Sequence, residues 1–383
     1  MLRGGGTDDQ CTKLASSLRQ LGHRVWVAGP AGREFSRVTS RLGVPFQATP
    51  PEGPLKLRFV LSAARMIRRQ RIEIVHGHHG RDYWPTILAA RFSGTSPKIV
   101  LTRHLAKSPS SWFSRRFLLW QCDAMIAVSE AVAKIMREGL SEPASPDPER
   151  RFRPPLRGDH SKIQVIFGGI DTDRFRPFEA SELRSEWKLE PSHFAFAVAG
   201  GYDWPRGKGQ REFLQAAACI HHTVPRARFL IVGRGSLADI LREDIERLGL
   251  TGKAWLTPYC QDMAAGMNAI DCLVHPVTGT EALGLVICEA MACGKPVIAS
   301  ALDGIPEAFH IGGHGQLVPP DSVQALAEAM SSWARQPALG RLQREELHQR
   351  IAARFSLLTC AQGVNALYAM LMRARKPEAA PAS

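Results

Sequence analysis

Two carboxylates, Glu281 and Glu289, stand eight positions apart in the stretch Thr278-Gly-Thr-Glu-Ala-Leu-Gly-Leu-Val-Ile-Cys-Glu-Ala-Met-Ala-Cys-Gly-Lys-Pro-Val-Ile-Ala-Ser300. Residues 285–293 carry helix formers with no breaker, and Gly294 is a C-terminal stop. The predicted helix is apolar almost all round and therefore buried. A carboxylate in such a helix, here Glu289, is costly unless something hydrogen-bonds to it. Gly284, Leu285 and Val286 would present unpaired backbone N–H groups at the helix start, a setting that suits an anion. One segment thus offers two carboxylates for sugar hydroxyls and a cradle for phosphate. The same residues also fit a buried crossover whose glutamate pairs with a nearby arginine, because structural ion pairs are common.

Other groups could in principle do chemistry. Asp171-Thr-Asp173 has the form of a metal-binding D-x-D. His76, His78 and His79 resemble a metal cluster, but no Cys or carboxylate spacing supports them, and polar strand-end residues fit better. Gly233-Arg-Gly235 is a fragment of a dinucleotide fingerprint whose third glycine is misplaced.

The elements that must position these groups alternate. Thr7-Asp-Asp reads as a cap for a helix over 11–21, followed by a strand at 24–28. A basic amphipathic helix over 55–71 precedes a strand at 72–76, a helix at 84–92 and a strand at 98–102. Residues 112–120 form an aromatic, basic helical stretch, 124–128 a strand, and Ser129 caps a helix at 130–137. Residues 141–162, rich in Pro and Arg without hydrophobic period, read as a mobile loop. A strand at 163–166 closes this half, and 171–177 reads as an inter-domain connection. The second half repeats the rhythm, with strands at 194–199, 228–232, 254–257, 272–275 and 295–300. Its helices are expected at 210–221, 238–248, 285–293 and 323–333, with a turn at 303–307. A final helix over 359–375 runs into a disordered tail. Strands alternating with helices imply parallel sheets covered on both faces, and two such halves place a ligand in a cleft at the carboxyl ends of the strands.

The chain has 383 residues, enough for two α/β domains, and its 44% hydrophobic content is that of a globular protein. No run has the apolar length of a membrane span, and Met1-Leu-Arg-Gly-Gly-Gly offers no hydrophobic signal core. The eight cysteines show no C-x-x-C, so buried free thiols in a reducing cytoplasm are expected. The net charge of +13 is unevenly placed: residues 1–170 hold 27 Lys and Arg against 13 Asp and Glu, and the remainder hold 22 against 23. The first half should therefore meet an anionic partner. Nucleic acid is the least favoured, since no recognition module or aromatic–basic stacking pattern accompanies the charge.

Several motifs recur together in one order: 123–129, Gly169-Ile-Asp-Thr-Asp-Arg-Phe175, Leu230-Ile-Val-Gly-Arg-Gly235, Glu307, and above all Glu281-x7-Glu289 followed by Ala-Met-Ala-Cys-Gly-Lys-Pro-Val. Over nearly its whole length the chain resembles the family-4 glycosyltransferases, retaining nucleotide-sugar enzymes with two Rossmann-like, doubly wound α/β domains facing a central cleft (the GT-B architecture). The resemblance implies that Glu289 binds the ribose of the donor and Glu281 the hydroxyls of the transferred sugar. Gly284, Leu285 and Val286 would present amides to the diphosphate or sugar. Lys208, in Pro205-Arg-Gly-Lys-Gly209, corresponds to the lysine that neutralises the diphosphate, as a fixed cation beside an anionic leaving group should. His104 matches a histidine near the acceptor and the transferred sugar. Gly4, Gly5 and Gly6 match a glycine-rich loop that approaches donor and acceptor. No metal or other cofactor is implied, and the D-x-D falls on a connection.

Three departures stand out. Gly200-Gly201 occupies the place of a family arginine, for which Arg206 is the candidate substitute. Only Met1 to Arg3 precede the glycine loop, where the family has a full strand, so a truncated or misassigned start is expected. Gly168-Gly169 replaces Asn-Gly at a turn. The resulting expectation is an acceptor-side domain over 1–170, a nucleotide-sugar domain over 171–358, a helix at 359–376 that crosses back to the first domain, and a tail at 377–383. The expected activity is transfer of a hexose-type sugar to a hydroxyl acceptor with retention, the acceptor being lipid-linked or of lipopolysaccharide type. The expected place is the cytoplasm, peripheral on the inner face of the membrane. A non-catalytic nucleotide-sugar-binding or membrane-surface module, and a nucleotide-sugar epimerase of similar fold, are the alternatives.

Overall fold

A computed structural model of the chain describes residues 6–30, 38–49, 57–143, 145, 148–204 and 207–374. Gly4, Gly5, Arg206 and the tail at 377–383 lie outside the described residues. The chain divides into two compact units: Met1–Pro143 with Arg151–Gly169 and Leu357–Ser383, and Ala144–Arg150 with Ile170–Ser356.

In the first unit, β3 (Ile74–Gly77), β4 (Lys98–Arg103), β5 (Ala124–Ala127) and β8 (Ile163–Val165) form a parallel sheet in that order. A second parallel pair joins β1 (Val27–Pro30) to β2 (Phe46–Thr49). Residues of β1 and β3 together line a concavity of about 550 Å³ that reaches His76, His78 and Tyr368. The first helix runs Gly6–Gln20, so Asp8 and Asp9 lie in its first turn instead of preceding it as a cap; there they complement the positive helix end. The helix at Leu357–Arg373 packs on it, and Leu14, Leu18, Val364 and Leu367 share one core with Val100 and Ile126 of the sheet.

The stretch over 141–162, expected to be a mobile loop, is instead built around a buried arginine. β6 (Leu140–Ser141) pairs antiparallel with β7 (Phe152–Arg153). Arg153 is 1% exposed, donating to the carbonyl of Ala106 at 3.0 Å and to Glu142 Oε1 at 2.7 Å. A hydrophobic-period criterion is blind to an element held by a buried charge with hydrogen bonds to a carbonyl and a carboxylate.

The second unit holds six parallel strands in the order β11 (Ala254–Leu256), β10 (Ala227–Val232), β9 (Phe194–Ala199), β12 (Cys272–His275), β13 (Val297–Ser300) and β14 (Gly315–Val318). The strands of the sheet centre are mostly apolar, as both-face burial requires: Phe196, Val198, Phe229, Ile231, Cys272 and Val274 belong to one core. The turn expected at 303–307 is the start of a helix, Ile305–Gly312, with Pro306 in its first turn. A further helix, Arg341–Phe355, precedes the last one and carries so many charges that its buried stripe of Leu347, Ile351 and Phe355 escapes a composition-based reading.

Candidate active site

Strand order in the second sheet reverses at β9, whose neighbours are β10 on one side and β12 on the other. At such a switch point the loops leaving the two strands part in opposite directions and open a crevice at their carboxyl ends. Lys208 lies in the loop after β9, and Glu281 in the loop after β12. Across 73 residues of sequence the two meet: Lys208 Nζ donates to Glu281 Oε2 at 2.8 Å.

The approach of the loops depends on Gly209. Its φ of +87° lies in the left-handed region, and a Cβ there would stand 2.2 Å from the carbonyl oxygen of Pro276. Gly209 also caps the helix Gln210–Ile220, whose first side chain is buried and accepts the Lys208 backbone N–H at 2.6 Å through Oε1. The lysine is thus anchored at its backbone, while its side chain remains 39% exposed. Gly284 plays the corresponding part on the other loop. It is left-handed at φ +80° and caps the helix Leu285–Ala292, so the chain turns sharply into the helix and the amides of Leu285 and Val286 fall in its first turn.

Glu281 is held from three sides. Its backbone N–H donates to Asp303 Oδ2 at 3.1 Å, and its carbonyl accepts from Gly304 N–H at 3.2 Å. His275, the last residue of β12 and 1% exposed, places Nε2 at 3.5 Å from Glu281 Oε2, within ion-pair range and beyond a normal hydrogen bond. Burial pushes the Glu281 carboxyl upward, but His275 and Lys208 outweigh it and hold the group well below the usual carboxylate range. Glu281 is therefore an anion, suited to accept hydrogen bonds from hydroxyls and unsuited to donate a proton. Glu289 lies half-buried on the helix Leu285–Ala292, between Cys288 and Ala290, both fully buried.

His104 belongs to the first unit. It follows β4, and its Nε2 lies 3.1 Å from Nδ1 of His78, which follows β3. His76 stacks on His78 with ring centroids 4.2 Å apart and bonds Thr102 Oγ1 and Tyr368 Oη, each at 2.6 Å. His79 Nε2 meets Asp8 Oδ1 at 2.6 Å. Burial first, and neighbouring imidazoles second, hold His76 and His104 well below the ordinary histidine range and bring His78 to about 4. These are neutral rings at neutral pH; His78 and His104 share a hydrogen bond, while His76 bonds Tyr368 and Thr102.

Asp171 of the D-x-D accepts the Arg174 backbone N–H at 3.2 Å through Oδ1, a turn-forming contact. Among the described residues no group of three or more His, Cys, Asp or Glu side chains is arranged to hold a metal ion. All eight cysteines are free; Cys219 is exposed, whereas burial pushes the thiols of Cys11, Cys122 and Cys293 up to about 12, so these three are not thiolates.

Lys208, Glu281, Gly284, Leu285, Val286 and Glu289 therefore share the second unit, and Gly6 opens the first helix of the other. Sequence reasoning missed three supporting residues: His275, Gln210 and Asp303. His275 looked like the end of an apolar strand, and Gln210 like an ordinary first helical residue. Asp303 had one local signal, its position before a glycine in a turn, and its φ is +47°.

Comparison with known proteins identifies the family and the fold. Residues 4–146 match the family described as Glycosyltransferase Family 4, and residues 193–336 the one described as Glycosyl transferases group 1. Over 225 residues the chain is 33% identical to the D-inositol 3-phosphate glycosyltransferase of Segniliparus rotundus, covering 56% of this chain and 48% of that protein. Over 337 residues it is 28% identical to the phosphatidyl-myo-inositol mannosyltransferase of Mycobacterium tuberculosis, covering 85% and 82%. The fold is similar to that of Anabaena HepE, solved in complex with UDP and glucose, at a TM-score of 0.79 and 21% identity over 97% of both chains. Two family matches that span most of the chain, on two parallel α/β units, make this protein a member of the family-4 glycosyltransferases of GT-B fold.

Proposed function

We propose that the chain moves a hexose-type sugar from a nucleoside-diphosphate sugar to a hydroxyl of an anionic acceptor, lipid-linked or of lipopolysaccharide type, with retention of configuration. The observation that carries the donor assignment is the Lys208–Glu281 pair at the switch point, beside the start of the helix Leu285–Ala292. Lys208 turns its charge to the departing diphosphate, where it acts most strongly in the transition state. Glu281 accepts hydrogen bonds from the sugar hydroxyls, Glu289 from the ribose, and the amides of Gly284, Leu285 and Val286 face the diphosphate or sugar. Gly5 and Gly6 join the donor side and His104 the transferred sugar, and Arg206 stands in there for the missing family arginine; retention and the roles of Gly5, Gly6 and His104 rest on the family resemblance. With Lys208 as the cation, no metal is needed.

The acceptor assignment rests on charge. The first half carries the whole positive excess, and the relatives named above act, by their names, on an inositol phosphate and a phosphatidylinositol. The helix Leu57–Gln70 buries Val60, Ala63, Ala64 and Ile67 in its own unit and leaves Leu57 and Leu61 outside among arginines. Phe92, Trp112, Phe113 and Trp120 are exposed as well. Apolar side chains interleaved with cations suit the interface of an anionic membrane, and we place the protein there, on the cytoplasmic face. Among the described residues no helix is long and apolar enough to cross a membrane.

A thermal-shift panel of UDP, GDP and their sugars tests the donor assignment, since a ligand that binds only the folded chain raises its melting temperature. Slow release of free nucleoside diphosphate from one of the sugars is expected, and binding of none of them removes the assignment. The anomer of the transfer product reports retention. Sedimentation with vesicles should require anionic lipid and weaken with salt; equal binding to neutral vesicles removes the membrane assignment.

A further inference from the structure

His275 is buried, yet neither ring nitrogen has a hydrogen-bond partner among the described residues. A buried polar group left in that state is unusual and calls for a reason. The geometry supplies one. Its Nε2 lies 3.5 Å from Glu281 Oε2, and that oxygen is already engaged by Lys208 at 2.8 Å. Of the three side chains Lys208 is the most exposed at 39%, against 17% for Glu281 and 1% for His275. The Glu281 backbone is fixed by Asp303 and Gly304, so only its carboxylate can shift.

We propose that His275 is a positioning residue that exchanges with Lys208 on Glu281. When the diphosphate of the donor draws Lys208 away, the carboxylate settles by about half an ångström onto His275 Nε2–H, within normal hydrogen-bond range. The glutamate then stays ionised and aimed at the sugar instead of swinging after the lysine. The exchange requires a proton on Nε2, the nitrogen nearest Glu281 Oε2. The proposal rests on the donor assignment given above, in that Lys208 must meet a diphosphate.

Three variants of the full chain separate this role from packing. His275→Phe keeps the ring volume and removes the donor; Gln places an N–H near the position of Nε2, whereas Asn mimics Nδ1. With UDP-glucose or GDP-mannose, whichever the wild type hydrolyses, His275→Phe should lower turnover by about 10- to 100-fold, the range for losing a hydrogen bond to a charged group. Its affinity for the sugar-free nucleoside diphosphate should be unchanged. His275→Gln should recover most of the loss and His275→Asn should not. On a Glu281→Gln background the His275→Phe change should cost little, because its partner is already gone. Equal loss on both backgrounds, or equal recovery by Gln and Asn, overturns the proposal.

Should His275→Phe fail to fold, histidine-15N NMR of the wild-type chain with inorganic pyrophosphate gives the answer without it. Pyrophosphate should shift one Nε2–H resonance to a hydrogen-bonded position, a change missing in Glu281→Gln. Pyrophosphate that raises the melting temperature with no such change overturns the exchange. Pyrophosphate or nucleotides that bind nowhere overturn the donor assignment itself.

Discussion

Both units set polar side chains at the carboxyl ends of parallel strands, and the two sites treat charge in opposite ways. After β9 and β12, Glu281 is half-enclosed and stays ionised because Lys208 and His275 oppose the cost of burial. At the ends of β3 and β4, His76, His78 and His104 are packed against one another, and burial keeps them uncharged. A carboxylate beside a cation can remain charged in a crevice, whereas imidazoles that share neighbours repel each other's protons. The first arrangement suits binding hydroxyls beside a diphosphate. The second makes a neutral, hydrogen-bonding surface.

The largest test of this contrast is Lys208→Met. It removes the cation and keeps the chain length, and turnover should fall about 100-fold or more, as for other preorganised charge contacts. Steady-state rates at saturating donor measure it, and an unchanged rate would mean that the ion pair is only structural.

Gly209→Ala attacks the same site through the backbone. A methyl group would meet the Pro276 carbonyl, and alanine disfavours the left-handed conformation. Thermal or urea unfolding should show a loss of about 1–3 kcal/mol, together with weaker donor binding as the two loops separate.

The histidine group is tested by acid. Its pKa values are depressed on folding, so near pH 5 the unfolded chain binds protons that the folded chain does not. The stability contributed by neutral rings is complete above about pH 6.5 and is lost as pH falls toward about 4 for His78. Each pKa unit corresponds to at most about 1.4 kcal/mol, less for rings that keep contact with water. His78→Phe lacks one such ring, so its deficit in melting temperature against the wild type should shrink between pH 7 and pH 5. A deficit independent of pH breaks the comparison. Glu281 has the same sign in a more acid window: its depressed carboxyl contributes stability that is complete above the ordinary carboxylate range and is lost only in stronger acid.

Smallest is Glu289→Ala. Ribose contacts exist in the ground and transition states alike, so donor affinity should fall about tenfold with turnover nearly kept. Calorimetry on the folded variant checks it, and unchanged affinity would remove Glu289 from the donor site.

Much of this was legible in the sequence because the signals are local. Glu281, Glu289 and the glycines between and after them stand within one short run, and alternating apolar strands announce parallel sheets. Gly209 and Gly284 mark sharp turns into helices, and both have positive φ. Legibility ended where elements carry their meaning in partners rather than in pattern. The charged helix Arg341–Phe355 drew no reading, and the strand pair around Arg153 read as a mobile loop, since neither has a clean apolar period.

The sequence by itself determined the alternation of strands and helices, the sites where only glycine fits, and the carboxylates available for a sugar. Those properties follow from sterics and periodicity within a few residues of each position. Only the tertiary structure decided that Lys208 reaches Glu281, that Asp303 holds its backbone, and that His275 faces it from the end of β12. It likewise decided that the helix at Leu357–Arg373 shares a core with the helix at Gly6–Gln20. These contacts arise from strand order and packing, which bring distant residues together at separations that no spacing along the chain encodes.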